Sequence, residues 1–144
     1  MNVVIDANLT VALFVNLPYS SQCERLFGLW HTQDVQLHVP ALWPVEVISA
    51  LRKMVSVGQM SQDDARLALS CLEQVPIQVV LPDSGLMDLS LVWAGRLNQT
   101  MAYDAQYVAL AENLSAEFWS ADQSLIVALQ HLNISWAHGL GEVN

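Results

Sequence analysis

Four acids, Asp6, Glu46, Asp104 and Asp122, stand where a cluster could do chemistry. Asp6 closes the β-branched run from Asn2 to Ile5, and Asp122 closes the apolar run from Phe118 to Ala121, so both fall at the ends of expected strands. Glu46 follows Pro44, a residue tolerated in a first helical turn and not later, and so lies near a helix start. Asp104 opens a stretch in which Tyr103, Tyr107, Leu110, Ala111 and Leu114 recur at helical spacing. In an open parallel sheet, strand C-termini and helix N-termini share one rim, so the four can meet. Acids are also favoured at helix N-termini by about 0.3–1 kcal/mol each with no further role, and Asp63, Asp64 and Asp83, set among polar residues, are acids of that kind. The other four lie beside apolar segments. Two like charges about 4 Å apart cost on the order of 4 kcal/mol at an effective dielectric of about 20, against a domain stability of about 5–15 kcal/mol. A converged set therefore needs protonation or a divalent cation. All-carboxylate oxygen ligands suit Mg²⁺ or Mn²⁺, with waters completing the shell, and such an ion can polarise a phosphodiester and activate a water to attack it.

The elements that must bring these acids together alternate in type. After the first strand, Asp6-Ala7-Asn8 opens a helical pattern through Leu9, Ala12, Leu13 and Leu17, stopped by Pro18. Ser20 and Ser21 are candidate caps for a second helix that turns Leu26, Leu29 and Trp30 inward. A short strand from Gln36 to Val39 leads to the Glu46 helix. Ser61 to Asp64 starts a fourth helix with a cap and first-turn acids, its stripe being Ala65, Leu69 and Leu72. Ile77 to Leu81 is a third strand between two prolines. Asp83-Ser84 caps a helix through Leu86, Leu89, Val92, Trp93 and Leu97, and the stretch from Tyr103 to Asp122 supplies helix, turn and strand. A last helix from Ser124 to Leu132 and a closing strand from Ile134 to Trp136 complete the pattern. Strand–helix alternation predicts an α/β fold with a mainly parallel sheet.

The 144 residues predict one domain spanning 1–144, and 53% apolar against 13% charged residues exclude disorder. Every apolar run is interrupted within about a dozen residues, too short for a membrane span, and the first already contains Asp6 and Asn8 rather than a leader pattern. A cytoplasmic protein is expected. Cys23 and Cys71 have no C-x-x-C partner and read as two small buried hydrophobes. The formal charge of −9, from 14 acids against Arg25, Arg52, Lys53, Arg66 and Arg96, argues against a broad basic face for nucleic acid. It leaves room for an enzyme that touches a few phosphates through a metal.

Four segments match a known family in its order: Val3-Val4-Ile5-Asp6-Ala7-Asn8, the helix Glu46-Val47-Ile48-Ser49-Ala50-Leu51, the helix from Tyr103 to Ala111, and Ser120-Ala121-Asp122. On these motifs, spread over almost the whole chain, it resembles the PIN-domain ribonucleases, and most closely their toxin-type, VapC-like members. The resemblance implies a three-layer α/β/α domain around a five-stranded parallel sheet. It also implies a Mg²⁺-dependent endoribonuclease with Asp6, Glu46, Asp104 and Asp122 as its acidic set. Many members carry Thr two places before the last acid; Ser120 keeps the hydroxyl. A toxin-type member would be paired with a small antitoxin protein.

Within that reading, Asp6, Asp104 and Asp122 hold the metal directly or through water, and Glu46 completes the site or holds the attacking water. Asn8 and Ser120 orient the carboxylates from the outer shell. Lys53 and Arg52, two turns along the Glu46 helix, can meet substrate phosphates or simply form a solvated face. Other chemistries are less well served. His31, His38, His131 and His138 lack metal-ligand spacing, and the five tryptophans mostly occupy apolar faces. Ser49 and Ser70 have no nucleophile-elbow context, and the glycines form no phosphate loop. A dehalogenase-type phosphatase would need an acid at Asn8, and a receiver-like domain an acid pair beside the first strand. The rival reading is a PIN-like protein-binding module with little catalysis. Few basic residues and the apolar helices at Val45 to Val57 and Leu67 to Leu72, suited to an antitoxin or to a second copy in a homodimer, favour it.

Overall fold

The computed structural model describes residues 1–143. Five strands, β1 (Asn2–Ile5), β2 (Gln36–Pro40), β3 (Ile77–Val80), β4 (Glu117–Ser120) and β5 (Ala137–Gly139), form one sheet in the order β3-β2-β1-β4-β5, every neighbouring pair parallel. The helices between them are α1 (Ala7–Val11), α2 (Ser20–Thr32), α3 (Trp43–Ser56), α4 (Gln62–Leu72), α5 (Ser84–Arg96), α6 (Tyr103–Asn113) and α7 (Gln123–His131). Val3, Val4 and Ile5 are consecutive and all completely buried. Successive strand residues point to opposite faces, so both faces of β1 are covered, as a run of β-branched residues requires. The sheet is flanked on two sides, as expected for three layers.

The chain builds outward from β1 through β2 to β3, then crosses to the other side of β1 for β4 and β5. Strand order thus reverses between β1 and β4. That is the point in an open α/β sheet where a crevice forms beyond the strand C-termini. Asp6 immediately follows β1, and Asp122 lies two residues beyond β4.

Five of the seven helices, α2, α3, α5, α6 and α7, end by one device. Asp34, Gly58, Asn98, Ser115 and Asn133 all have positive φ, between 50° and 76°. Each sits just past a helix C-cap, and the next residue's N–H returns to the helix: Val35 to Trp30, Gln59 to Met54, Gln99 to Ala94, Ala116 to Ala111 and Ile134 to Leu129, at 2.9–3.0 Å. These are Schellman closures, four of them without glycine.

The last closure explains one departure from the sequence reading. Ile134 is spent on capping α7, so the closing strand falls on 137–139 and not on Ile134 to Trp136; pairing with β4 begins where Phe118 N–H meets the Trp136 carbonyl, at 2.8 Å. The first helix is also shorter than its apolar spacing predicts. After Val11 the bonds tighten to i→i−3, from Leu13 to Thr10 and Phe14 to Val11. Ser20 does not cap α2: its hydroxyl accepts from Leu17 N–H and donates to the Val15 carbonyl, tying down the preceding loop. Leu29, Val92 and Tyr103, placed on inward stripes by spacing, are about half exposed. Cys23 is buried as expected, its thiol pushed up to about 12 chiefly by burial, but Cys71 is exposed on α4. Among the described residues no helix is long and apolar enough to cross a membrane.

Candidate metal centre

Asp6, Glu46, Asp104 and Asp122 line one cleft of about 260 Å³ at the β1/β4 crevice, together with Ala7, Asn8, Ser49, Tyr107, Phe118, Ser120 and Leu125. No lysine, arginine or histidine is among the lining residues. The four acids form a chain of neighbours, each feeling the next: Glu46 pushes on Asp6, Asp104 on Glu46, and Asp122 on Asp104.

Each carboxylate is held by a different device. Asp6 caps α1, its Oδ1 accepting from Leu9 N–H at 2.8 Å, while Oδ2 accepts from the Ser120 hydroxyl and from Ala121 N–H at 3.1 Å. Burial still dominates and raises its pKa from 3.8 to about 6, with those hydrogen bonds opposing and Glu46 adding to the rise. Asp122 caps α7, accepting from Ser124 N–H, the Ser124 hydroxyl and Leu125 N–H at 2.6–3.1 Å. Burial pushes it upward, but these bonds prevail and hold it below the ordinary aspartate range. Glu46, in the first turn of α3, accepts from the Tyr107 hydroxyl. Asp104, in the first turn of α6, accepts from Gln99 Nε2 at 2.9 Å. Both are raised by burial first and by a neighbouring acid, against the pull of those donors.

The sequence-predicted acids are therefore brought together, and Ser120 lies where a supporting hydroxyl was expected. Almost fully buried, it donates to Asp6 and accepts from Asp122 N–H at 2.9 Å, so one hydroxyl spaces two of the four acids. Ser120→Ala is expected to weaken Mn²⁺ binding by roughly 10- to 100-fold in a calorimetric titration, the usual cost of losing an outer-shell partner, while Ser120→Thr keeps it near the parent value. Asn8 is on the lip of the cleft and exposed; the hydrogen bonds that orient Asp6 come instead from Leu9, Ser120 and Ala121. Lys53 and Arg52 are exposed on α3 and are not among the lining residues.

Three contributors carried no usable sequence signal. Tyr107 reads as one of the apolar stripe of α6, and it is 2% exposed, but its hydroxyl needs a buried partner and finds Glu46, 61 residues away. Trp43 donates through Nε1 to Thr10 Oγ1 at 3.1 Å, and Thr10 in turn donates to the Asp6 carbonyl at 3.3 Å, which locks the start of α3 to α1 and so Glu46 toward Asp6. Gln99 stands in the loop before α6.

The donor set is anionic oxygen throughout, which fits Mg²⁺ or Mn²⁺. Among the described residues, no group of three or more His, Cys, Asp or Glu side chains is disposed to grip one ion directly. Each carboxylate also accepts a hydrogen bond from a protein donor on at least one oxygen. Coordination partly through water, the habit of Mg²⁺, accommodates such a cleft.

Comparison with known proteins agrees with the fold. The PIN domain family profile matches residues 4–135, and the chain belongs to that family. Within it, the chain is 32% identical over 123 residues to a VapC ribonuclease of Mycobacterium bovis, covering 85% of this chain and 87% of that one. It is 30% identical over 132 residues to the ribonuclease VapC3 of Pyrobaculum aerophilum, covering 87% and 92%. Among solved structures it resembles PAE2754 from Pyrobaculum aerophilum, with a TM-score of 0.69 at 19% identity over 98% of this chain and 90% of that one. It also resembles VapBC2 from Rickettsia felis, solved bound to a promoter DNA fragment, with a TM-score of 0.70 at 8% identity over 96% and 98%. These structural likenesses bear on the fold.

Proposed function

We propose that this single domain, residues 1–144, is a divalent-metal-dependent endoribonuclease of the VapC kind, acting in the cytoplasm as the toxin of a type II toxin–antitoxin pair. The observation that carries the metal is the cleft itself: four carboxylates with no cationic side chain among them. Mg²⁺ or Mn²⁺ bound there would polarise the scissile phosphodiester and lower the pKa of a water that attacks it.

The chain's own residues do the rest. Asp6, Asp104 and Asp122 would hold the ion, directly or through water. Tyr107 occupies Oε2 of Glu46, which leaves Oε1 to accept a hydrogen bond from the attacking water and orient it. Ser120 spaces Asp6 from Asp122. Lys53 and Arg52, outside the cleft, are suited only to flanking phosphates, so RNA affinity rests on the metal and on few positive charges. The substrate class is supported by the ribonuclease relatives, which match most of this chain and of their own length.

A partner protein is supported by Val45, Ile48, Val57 and Leu67, which are 55–62% exposed on α3, at its C-cap and on α4. Similar structures include a toxin–antitoxin complex from Klebsiella pneumoniae. The same surface favours the second reading, a binding module with little catalysis. Incubation of the purified chain with total RNA separates the two. Endonucleolytic cleavage in Mg²⁺ or Mn²⁺, abolished by EDTA and restored by either ion, is the expected result; intact RNA under all three conditions would leave the binding module.

A further inference from the structure

The four carboxylates differ in what holds them. Asp6 and Asp122 are N-caps, oriented by backbone N–H groups, and Glu46 is held by Tyr107. Asp104 has no such support from its own helix: the N-cap of α6 is Ala102, which makes no side-chain cap bond. Its holder comes from the preceding element. α5 closes with Asn98 at φ 53°, its N–H donating to the Gly95 carbonyl at 3.1 Å, while Gln99 N–H donates to the Ala94 carbonyl at 2.9 Å. This double closure pins the Gln99 backbone against the end of a packed helix. From there the side chain reaches Asp104 Oδ2 through Nε2, at 2.9 Å.

The other end of the same amide is anomalous. Gln99 Oε1 is buried without a partner, and it is the one such side-chain atom among the described residues. Turning the amide over would set Oε1 against a carboxylate oxygen, acceptor against acceptor, so the ionised form of Asp104 dictates this orientation. An apolar side chain of similar length would remove the orphaned Oε1, at the cost of the one protein donor to Asp104 Oδ2, so the two changes offset in the metal-free protein. What the amide provides in exchange is a fixed carboxylate with one oxygen engaged and the other unclaimed.

We propose that Gln99 is a positioning residue of the metal centre: pinned by the α5 closure, it clamps Asp104 Oδ2 and thereby presents Oδ1 to the cation. The assignment rests on the metal-dependent reading above. It makes metal affinity fall while metal-free stability holds, which a merely structural glutamine would not do. In calorimetric titration of the full chain with Mn²⁺, Gln99→Met and Gln99→Ala are expected to bind roughly 10- to 100-fold more weakly than the parent. The metal-free melting temperature of Gln99→Met should stay close to that of the parent, the lost hydrogen bond being offset by removal of the orphaned oxygen. Cleavage at saturating Mn²⁺ should return to within a few-fold of the parent rate. Parent-like Mn²⁺ affinity in both variants would overturn the assignment while leaving the metal centre standing. A metal-free melting temperature that falls in both variants would also overturn it, in favour of a structural role. A parent that binds no Mn²⁺ would overturn the metal reading and this assignment with it.

Discussion

Asp104→Asn is expected to lower RNA cleavage by at least about 10²- to 10³-fold while raising the melting temperature of the metal-free protein, the range being that for loss of one preorganised electrostatic group. The two effects have one cause. Burial, and then Asp122, hold the Asp104 carboxyl above its ordinary range, against the Gln99 hydrogen bond. Its charge is therefore destabilising until a cation arrives. An amide of the same shape removes that charge, relieves the push on Glu46, and can still accept from Gln99 Nε2. It cannot replace an anionic oxygen at a divalent ion. Melting curves in EDTA and cleavage assays in Mg²⁺ check both halves. Parent-like cleavage would remove Asp104 from the site. A lower metal-free melting temperature with cleavage lost would make it a structural acid.

That coupling of discomfort and function was legible in the sequence because acids beside buried runs are unusual. Val3-Val4-Ile5 before Asp6 and Phe118-Trp119 before Asp122 mark strands whose ends must carry the polar residue, and Pro44 dates the start of α3 to within a turn of Glu46. Strand–helix alternation then leaves few topologies, and the acids fall on one rim in any of them. What did not show were features decided by helix ends and by long-range hydrogen bonds. Asp34, Asn98, Ser115 and Asn133 close helices in a left-handed conformation that glycine usually signals, so the strand after α7 begins three residues later than the apolar run from Ile134 suggests. Tyr107 sits on an apolar stripe that its hydroxyl belies only once α3 is packed against it. Gln99 acquires its role from the closure of one helix and the start of the next, and no periodicity marks it. Tyr103 and Leu29 fit helical spacing but lie where no neighbouring element covers them.

The same carboxylates should make the metal-free protein lose stability as the pH rises through the mildly acidic range, the reverse of ordinary acid denaturation. Asp6 carries the largest share. Its folded pKa of about 6 lies above the unfolded value of about 3.8, so the native state binds the extra proton. Its contribution is fully present below the unfolded pKa and is lost as the pH passes through the folded one, a window of about pH 4 to 6. A shift of about two units corresponds to on the order of 3 kcal/mol, or roughly 5–10 °C in melting temperature for a domain of this size. Glu46 and Asp104, also raised by burial, act in the same direction. Asp122, held low by its capping bonds, acts oppositely: its contribution is present above its unfolded pKa and fades as the pH falls further. Thermal melts in EDTA should therefore be highest near about pH 4–5 and decline toward pH 7. Mn²⁺ at about 100 times its Kd should restore about 2.7 kcal/mol at neutral pH, because it binds only the folded state. Both Asp6 oxygens accept from backbone N–H groups, so in Asp6→Asn the Nδ2 amide must face the N–H of Leu9 or of Ala121, a constant local cost that makes absolute stability a poor guide in that variant. Slope is the better measure, since it counts protons and is blind to constant terms. A flattened decline in Asp6→Asn, with Mn²⁺ no longer restoring stability, ties the buried acid to the ion. An unchanged slope would show that Asp6 is ionised throughout, and that the cleft is less strained than its burial requires.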